Sequence, residues 1–351
     1  MDSNGPALTS HPQYPPFPET LDTAPLVTIS LARLESRDDA ESNTLFKASR
    51  DLGFFYLDLK DSNIGRSIIS GAEQLKDVQQ SFYSRPQSEK IQYAREKIDP
   101  FFGYRRVELP LVNSEKTPVL VETYNLRKDD FVGNRESLPC HPLILQNWEI
   151  FQSYVQSCHK VVHLLLEHLE SHLQLRKGAL VDMHRLHECS GDHVRFNRAP
   201  VYPFSKDLVK AGEHTDFGSL TILMNWLGGL QIRLPSTEQW TYVKPIPGSA
   251  IVNLGDALVK FTAGILRSNV HRVVPPPPPQ NNTVRDSLVY FARPEDNVIL
   301  KRLKGGMVNQ CPEIQAEKEE PEITAAEWIL RRSVGDLKGI YTLKGGLESR
   351  R

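Results

Sequence analysis

The sequence predicts a mainly β fold, a sandwich or barrel of short antiparallel strands with helices packed around it. Two observations carry this expectation. From about residue 193 the chain breaks into short β-type runs: HVRFN, SLTILMNW, GLQIRL, WTYVKPI, SAIVNLG, SNVHRVV and DSLVYFARP, punctuated by Gly, Pro and Asn. Evenly spaced short strands of this kind bury their apolar faces in a closed or doubled sheet. Before that point strand-like and helix-like stretches alternate, and 351 residues can bury one large core or two ordinary ones. The expected organisation is an arm over 1–24, a mixed α/β region over 25–185 whose helices pack on the core, and a β core with a C-terminal helix over 186–351.

Residues 1–24 are rich in proline and small polar residues, which suits an extended or disordered arm and a passive tail. PLVTISL (25–31) and GFFYLDL (53–59) read as strands. Between them, DDAESNTLFKASRDL (38–52) has the helical spacing of Leu45, Phe46, Ala48 and Leu52. SIISGAEQLKDVQQSFYSRP predicts a second helix, closed by Pro86. Residues 141–175 predict a long amphipathic helix or a broken pair. There His159/His163 and His168/His172 stand at i,i+4, a zinc-compatible spacing, but no Glu lies between them as in H-E-x-x-H. Core packing of Val161, Val162, Leu165, Leu166 and Leu169 explains the helix without a metal, and the histidines are expected on a solvated face. Pro275–Pro279 predicts a stiff polyproline connection. EKEEPE reads as a solvated loop, and Thr324 with Glu327 forms a capping box opening a short helix.

Composition narrows the function. Apolar residues make up 39% and charged residues 24%, as in soluble globular proteins. Lys plus Arg (42) nearly balance Asp plus Glu (43), so nothing points to a nucleic-acid or membrane partner. The start lacks a basic and apolar leader pattern, and four scattered cysteines suit a reduced compartment. A soluble cytoplasmic protein acting on a small molecule is the expectation.

The chemistry concentrates at AGEHTDFGSL. In an extended segment, residues i and i+2 face one side, so His214 and Asp216 can address one centre. A third ligand should come from another strand, and His271 in SNVHRVV is the best candidate. Two imidazoles and a carboxylate on one face of an octahedron leave open positions, the arrangement of non-haem Fe(II) oxygenases. RDSLVYF then sets Arg285 and Ser287 on one face of a strand, a guanidinium fork and a hydroxyl suited to a carboxylate.

With these motifs in order, the chain resembles the Fe(II)/2-oxoglutarate-dependent dioxygenase superfamily, its isopenicillin N synthase-like branch and fungal members in particular. GFFYLDL, SFYSRPQSEKIQY, SAIVNLGDALVKFTAGILRSNVHRV and AAEWILRR resemble successive segments of that family. The resemblance implies a double-stranded β-helix (jelly-roll) core. It implies Fe(II) on His214, Asp216 and His271, and 2-oxoglutarate on Arg285 and Ser287, with Asn197 beside them. The implied reaction uses O₂ and couples oxidative decarboxylation of 2-oxoglutarate to oxidation of a substrate C–H bond, by hydroxylation, desaturation or ring rearrangement. Asp216 argues for oxygen rather than halide chemistry, since halogenating relatives replace this carboxylate. Two alternatives stand beside this: an Fe(II) oxidase that uses R-x-S for a substrate carboxylate, and a silent jelly-roll binding module.

Two departures from the family pattern bear on the site. The N-Y-Y-P motif is replaced by RFNRAPVYP, which keeps Asn197 but brings Arg198, a candidate for co-substrate or substrate contact. The usual H-G after the G-F-F strand gives way to LKDSN. Arg195, Phe101, Phe102, Tyr104, Thr123, Tyr124, Phe217 and Phe291 complete the expected substrate pocket, suited to an apolar or aromatic molecule.

Overall fold

The computed structural model describes residues 13–112, 118–201, 212–312, 322–338, 341–344 and 347–350. EKEEPE, apart from Glu322, lies outside them, as do residues 1–12 of the N-terminal arm.

The strands of the two larger sheets are β1 (Thr28–Ser30), β2 (Phe54–Asp58), β3 (Gly103–Val112), β4 (Pro118–Arg127), β5 (His193–Ala199), β6 (Leu220–Asn225), β7 (Leu230–Arg233), β8 (Trp240–Tyr242), β9 (Ser249–Leu254), β10 (His271–Val273) and β11 (Arg285–Ala292), and a separate hairpin pairs Tyr341–Lys344 with Leu347–Arg350. Eight of them form one sheet in the order β1-β2-β9-β6-β11-β5-β4-β3. Three form a second, in the order β10-β7-β8. The seven runs expected from residue 193 onward all appear. The β3–β4 hairpin was not expected as strands, because YRRVELPLV and VLVETYNL mix charges into the alternation. The large sheet joins strands from both sides of residue 185, so the N-terminal segment extends the same sheet.

Side-chain period 2 divides the large sheet into two faces. On the outer face lie Phe55, Leu57, Tyr104, Tyr124, Val194, Phe196, Ile222, Val252, Leu288 and Tyr290, all in one apolar core. Helices Asp39–Asp51, Asn63–Tyr83 and Trp148–His172 cover that face. The last helix contributes Phe151, Val155, Val162, Leu165, Leu166 and Leu169, each all but inaccessible to solvent. Each such burial is worth about 1.5–3 kcal/mol. On the inner face a second cluster of Phe54, Tyr56, Leu223, Ile251 and Val289 packs against Leu230 and Ile232 of the small sheet and Val243 just beyond it. The two sheets thus enclose a smaller core, and polar residues line the rest of the inner face.

Local capping follows the sequence. Asp38 accepts from Glu41 N (2.9 Å) and Ser62 Oγ from Gly65 N (3.0 Å) at the starts of their helices. Helix Ala325–Lys338 opens with the expected box: Glu327 N donates to Thr324 Oγ1 (3.2 Å) and Thr324 N to Glu327 Oε2 (2.9 Å).

Two expectations are corrected. The histidine face of helix Trp148–His172 is packed rather than solvated. His159 Nε2 bonds His184 O (2.8 Å), and His168 bonds Ser42 Oγ (2.7 Å) and Leu34 O (3.1 Å). Neighbouring helices and loops cover this face, and imidazole nitrogens satisfy carbonyls that water would otherwise have to reach. The arm is no passive tail over residues 13–24 either. Phe17 is buried, Ala24 N donates to Tyr242 O (2.8 Å), and Gln280 Nε2 donates to Pro15 O (2.8 Å). Pro275, Pro276 and Pro277 are buried in the same connection that carries Gln280.

Candidate active site

His214, Asp216 and His271 come together where the two sheets meet. Their potential ligand atoms lie within 4.8 Å of one another, and among the described residues they are the group of His, Cys, Asp and Glu with that property. Asp216 Oδ1 is 3.9 Å from His214 Nε2 and 3.8 Å from His271 Nε2. An octahedral ion with bonds near 2.1 Å spaces adjacent ligands by about 3 Å, so sub-ångström side-chain shifts would close the set.

Each of the three candidate ligands is held by its other polar atom. His214 Nδ1 bonds Gly212 O (2.8 Å) and His271 Nδ1 bonds Asn269 O (3.1 Å), which makes both Nδ1 atoms donors and leaves the Nε2 lone pairs facing Asp216. Asp216 Oδ2 accepts from Thr221 Oγ1 (2.8 Å) and Asn253 Nδ2 (2.7 Å), leaving Oδ1 toward the histidines. Phe54 meets the His271 ring edge-on at 5.4 Å. Gly255 is required beside this segment: a Cβ there would lie 2.3 Å from Gly218 O and 2.9 Å from Asp216 O. That close approach lets Asp256 N donate to Asp216 O (2.8 Å).

The electrostatics suit a cation. Burial pushes the Asp216 carboxyl up, but His271, His214, Asn253 and Thr221 outweigh it and hold it below the ordinary range. Burial and the neighbouring His214 push His271 down to about 4, against the opposing pull of Asp216. A neutral imidazole and an ionised carboxylate are the forms that ligate metals. The donor set therefore fits Fe(II).

Arg285, Ser287 and Asn197 also converge. Ser287 of β11 pairs with Asn197 of β5 on one side and Asn225 of β6 on the other. Asn197 Nδ2 lies 3.4 Å and Arg285 Nη1 3.5 Å from Ser287 Oγ, and Arg285 Nε donates to Gly228 O (2.8 Å). Gly229, at φ +102°, leaves the room: its absent Cβ would lie 2.4 Å from Val274 O and 3.3 Å from Arg285 Nε.

The expected pocket residues divide by face. Arg195 is on the inner face, donating Nε to Asn125 Oδ1 (2.7 Å) with its guanidinium 4.7 Å over the Phe291 ring. Phe101 and Phe102 stack edge-on, and Phe101 approaches Phe217 at 6.4 Å. Thr123 faces Asn197 across β4 and β5. Arg195, Asn197, Phe102, Phe217 and Phe291 all keep some solvent exposure, which marks an open cleft there.

Tyr104, Tyr124 and Arg198 are corrected. Tyr104 and Tyr124 are 1% exposed on the outer face, packed around Phe82, and Tyr104 Oη donates to Glu122 Oε1 (2.5 Å). Arg198 sits one residue out of phase with Asn197. It forms a two-point pair with Asp286 (2.8 and 2.9 Å) and lies 5.1 Å over Tyr83 of helix Asn63–Tyr83. Period 2 sends all three away from the cleft.

Thr221 and Asn253 were missed, although an asparagine in the apolar run SAIVNLG is a legible signal. His193 and Arg293 were missed too. HVRFN alternates polar and apolar residues, and it carries His193, Arg195 and Asn197 to one face. The C-terminal helix reaches this end: Trp328 Nε1 donates to Phe217 O (3.1 Å), and Arg332 lies 5.4 Å from the Phe217 ring.

Comparison with known proteins fits this geometry. Residues 190–294 match the 2OG-Fe(II) oxygenase superfamily model, and residues 24–142 match the N-terminal model of non-haem dioxygenases in morphine synthesis. A 2-oxoglutarate-dependent dioxygenase of Aspergillus fumigatus is 31% identical over 340 residues, covering 89% of this chain and 86% of the relative. The chain belongs to the Fe(II)/2-oxoglutarate-dependent oxygenase superfamily. The oxygenase is also 29% identical to the 2-oxoglutarate-dependent dioxygenase gloE of Glarea lozoyensis, over 81% of this chain and 84% of that one. Its fold matches a 2OG-Fe(II) oxygenase family protein of Caulobacter crescentus, with a TM-score of 0.72 at 22% identity over 91% of this chain and all of the other. The core is accordingly a double-stranded β-helix, and the cofactors are Fe(II), 2-oxoglutarate and O₂. No helix among the described residues is long and apolar enough to cross a membrane.

Proposed function

We propose that His214, Asp216 and His271 hold Fe(II), that Arg285 and Ser287 beside Asn197 take the distal carboxylate of 2-oxoglutarate, and that the oxygenase oxidises a C–H bond of a small organic molecule in specialised metabolism. In this reading residues 186–351 supply the catalytic core and residues 25–185 a mixed α/β region whose helices pack on it, with a cytoplasmic location. The observation that carries it is the ligand set, with Nε2, Nε2 and Oδ1 facing one another while Nδ1, Nδ1 and Oδ2 are engaged elsewhere. A silent binding module has no need of that polarity.

When bound, the iron supplies the redox chemistry that couples 2-oxoglutarate decarboxylation to substrate oxidation. The chain's residues do the rest. Thr221 and Asn253 keep Asp216 ionised and turned inward. Arg285 and Ser287 present a positive, hydroxyl-bearing anchor that fixes one end of a diacid and so orients the other. Phe101, Phe102, Phe217 and Phe291 give the substrate an apolar wall and exclude water from the reacting end.

The test is anaerobic addition of Fe(II) and 2-oxoglutarate, followed by visible absorption. The weak charge-transfer band is expected in the native chain and lost in Asp216→Ala and Arg285→Gln. A native chain without the band at saturating ligand would overturn the co-substrate assignment. A succinate-release screen against metabolite extracts, read by mass spectrometry, identifies the substrate.

A further inference from the structure

Once iron and 2-oxoglutarate are assigned as above, a cationic group on the inner face is left unused. Just past the end of β11, Arg293 follows Phe291 by two residues, and the contacts of its guanidinium place it on the inner face. Arg293 is 3% exposed, and its Nε and Nη1 have no hydrogen-bond acceptor among the described residues. Its guanidinium lies 4.3 Å from the Phe217 ring and 4.6 Å from the Phe101 ring. Beside it, His193 is fully buried and stacked on Phe291 at 4.7 Å. Its Nδ1 is bound to Gly191 O (3.0 Å), while its Nε2 has no partner.

An unsatisfied buried donor costs about 1–3 kcal/mol, and more when charged, so its retention calls for an explanation. Cation–π contact with two phenyl faces offsets part of the cost but supplies no acceptor. The local charge is unbalanced as well. Fe(II), Asp216, a 2-oxoglutarate dianion and Arg285 would cancel one another. Arg293 then has the carboxylate of Asp192 nearby, which already accepts from Tyr290 Oη (2.8 Å) and Arg293 N (2.6 Å), and Arg195 is left with the amide oxygen of Asn125 (2.7 Å). Burial pushes Arg293 down to about 9 and Arg195 down to about 10, both still charged at neutral pH, and Arg95 and Arg105 add to the positive field at Arg195.

We infer that Arg293, assisted by Arg195, receives the carboxylate of the substrate, and that this oxygenase acts on small monocarboxylic acids with an aromatic or unsaturated body. The inference rests on the cofactor reading above, because it assigns to substrate the charge left over by that reading. Phe101, Phe217 and Phe291 supply flat apolar walls for such a body. Phe217, the partly exposed ring of the Arg293 sandwich and the neighbour of Asp216, is the side chain whose rotation would open the guanidinium to the cleft in this proposal.

The experiment titrates benzoate and its neutral counterpart benzamide into the full chain loaded with Zn(II) and 2-oxoglutarate, which fills the metal and Arg285 sites. Benzoate is expected to bind at least about ten-fold more tightly than benzamide, the scale of a charge-assisted hydrogen-bond pair. Arg293→Met should remove that preference and Arg293→Lys should restore part of it, with the Fe(II)/2-oxoglutarate band and thermal midpoint recorded as fold controls. Equal binding of the two probes, including no binding of either, overturns the inference, as does a preference that survives Arg293→Met. If neither variant folds, the native benzoate-to-benzamide contrast decides. Loss of the absorption band in the native chain would instead undo the cofactor reading, so the two failures are distinguishable.

Discussion

His214 and His271 exchange both backbone hydrogen bonds, His214 N to His271 O at 3.0 Å and His271 N to His214 O at 2.9 Å. The pair forms an isolated antiparallel bridge, so two of the candidate ligands are tied through the main chain. Their rings consequently lie 4.3 Å apart although the His214 side chain is 51% exposed. Strand pairing sets this spacing, and side-chain packing around His214 contributes little to it. Asp216 is oriented differently, from β6 and β9, and that difference makes separate tests possible.

Asn253→Ala and Thr221→Val each remove one donor to Asp216 Oδ2 while leaving every ligand in place. Each is expected to weaken Fe(II) binding about 10–100-fold, the usual effect of losing a ligand's supporting hydrogen bond. Fe(II) titration of the metal-free chain, read by succinate release, measures it. Unchanged metal affinity in both would show that the carboxylate needs no such support.

Arg285→Gln keeps a polar side chain but loses the charge and the fork. The KM for 2-oxoglutarate should rise about 10–100-fold, matching the 1.5–3 kcal/mol of a charged hydrogen bond. Arg285→Lys should recover little, since an ammonium cannot grip a carboxylate at two points. A lysine variant with native KM would contradict the bidentate assignment.

Arg198→Ala should behave in the opposite way. Its partner Asp286 is buried, and removing one half of such a pair costs about 3–5 kcal/mol. The denaturation midpoint is expected to fall while the KM for 2-oxoglutarate stays put. A raised KM with native stability would return Arg198 to the cleft.

Acid should destabilise the fold through its packed histidines. Burial, partly opposed by Asp192, pushes His159 down to about 4, and burial likewise lowers His184 and His168. The unfolded chain takes up these protons near pH 6.5, while the folded chain resists them below that, at His159 until about pH 4. Stability from this source is therefore full above pH 6.5 and lost as pH falls toward 4, with a ceiling of about 3 kcal/mol for His159 alone. Urea midpoints from pH 7.5 to 5 should show the slope, and His159→Gln should flatten it.

The strands after residue 193 and the residue pairs that converge in the cleft were legible because each rests on short-range spacing: apolar runs between turns, H-x-D, R-x-S. Tyr104, Tyr124 and Arg198 were misread because residue type says nothing about which way a strand turns it. Placing Arg198 correctly needs the register that pairs it with Asp286. The β3–β4 hairpin was hidden because charges interrupt its apolar alternation. The histidines of helix Trp148–His172 were misjudged because their partners, Ser42, Leu34 and His184, come from other segments of the chain.

The seating of Trp328 on Phe217 ties the wall of the cleft to helix Ala325–Lys338, a segment that supplies none of the candidate metal ligands. Substitutions in that helix can therefore reshape what the cleft accepts while the candidate iron centre keeps its residues.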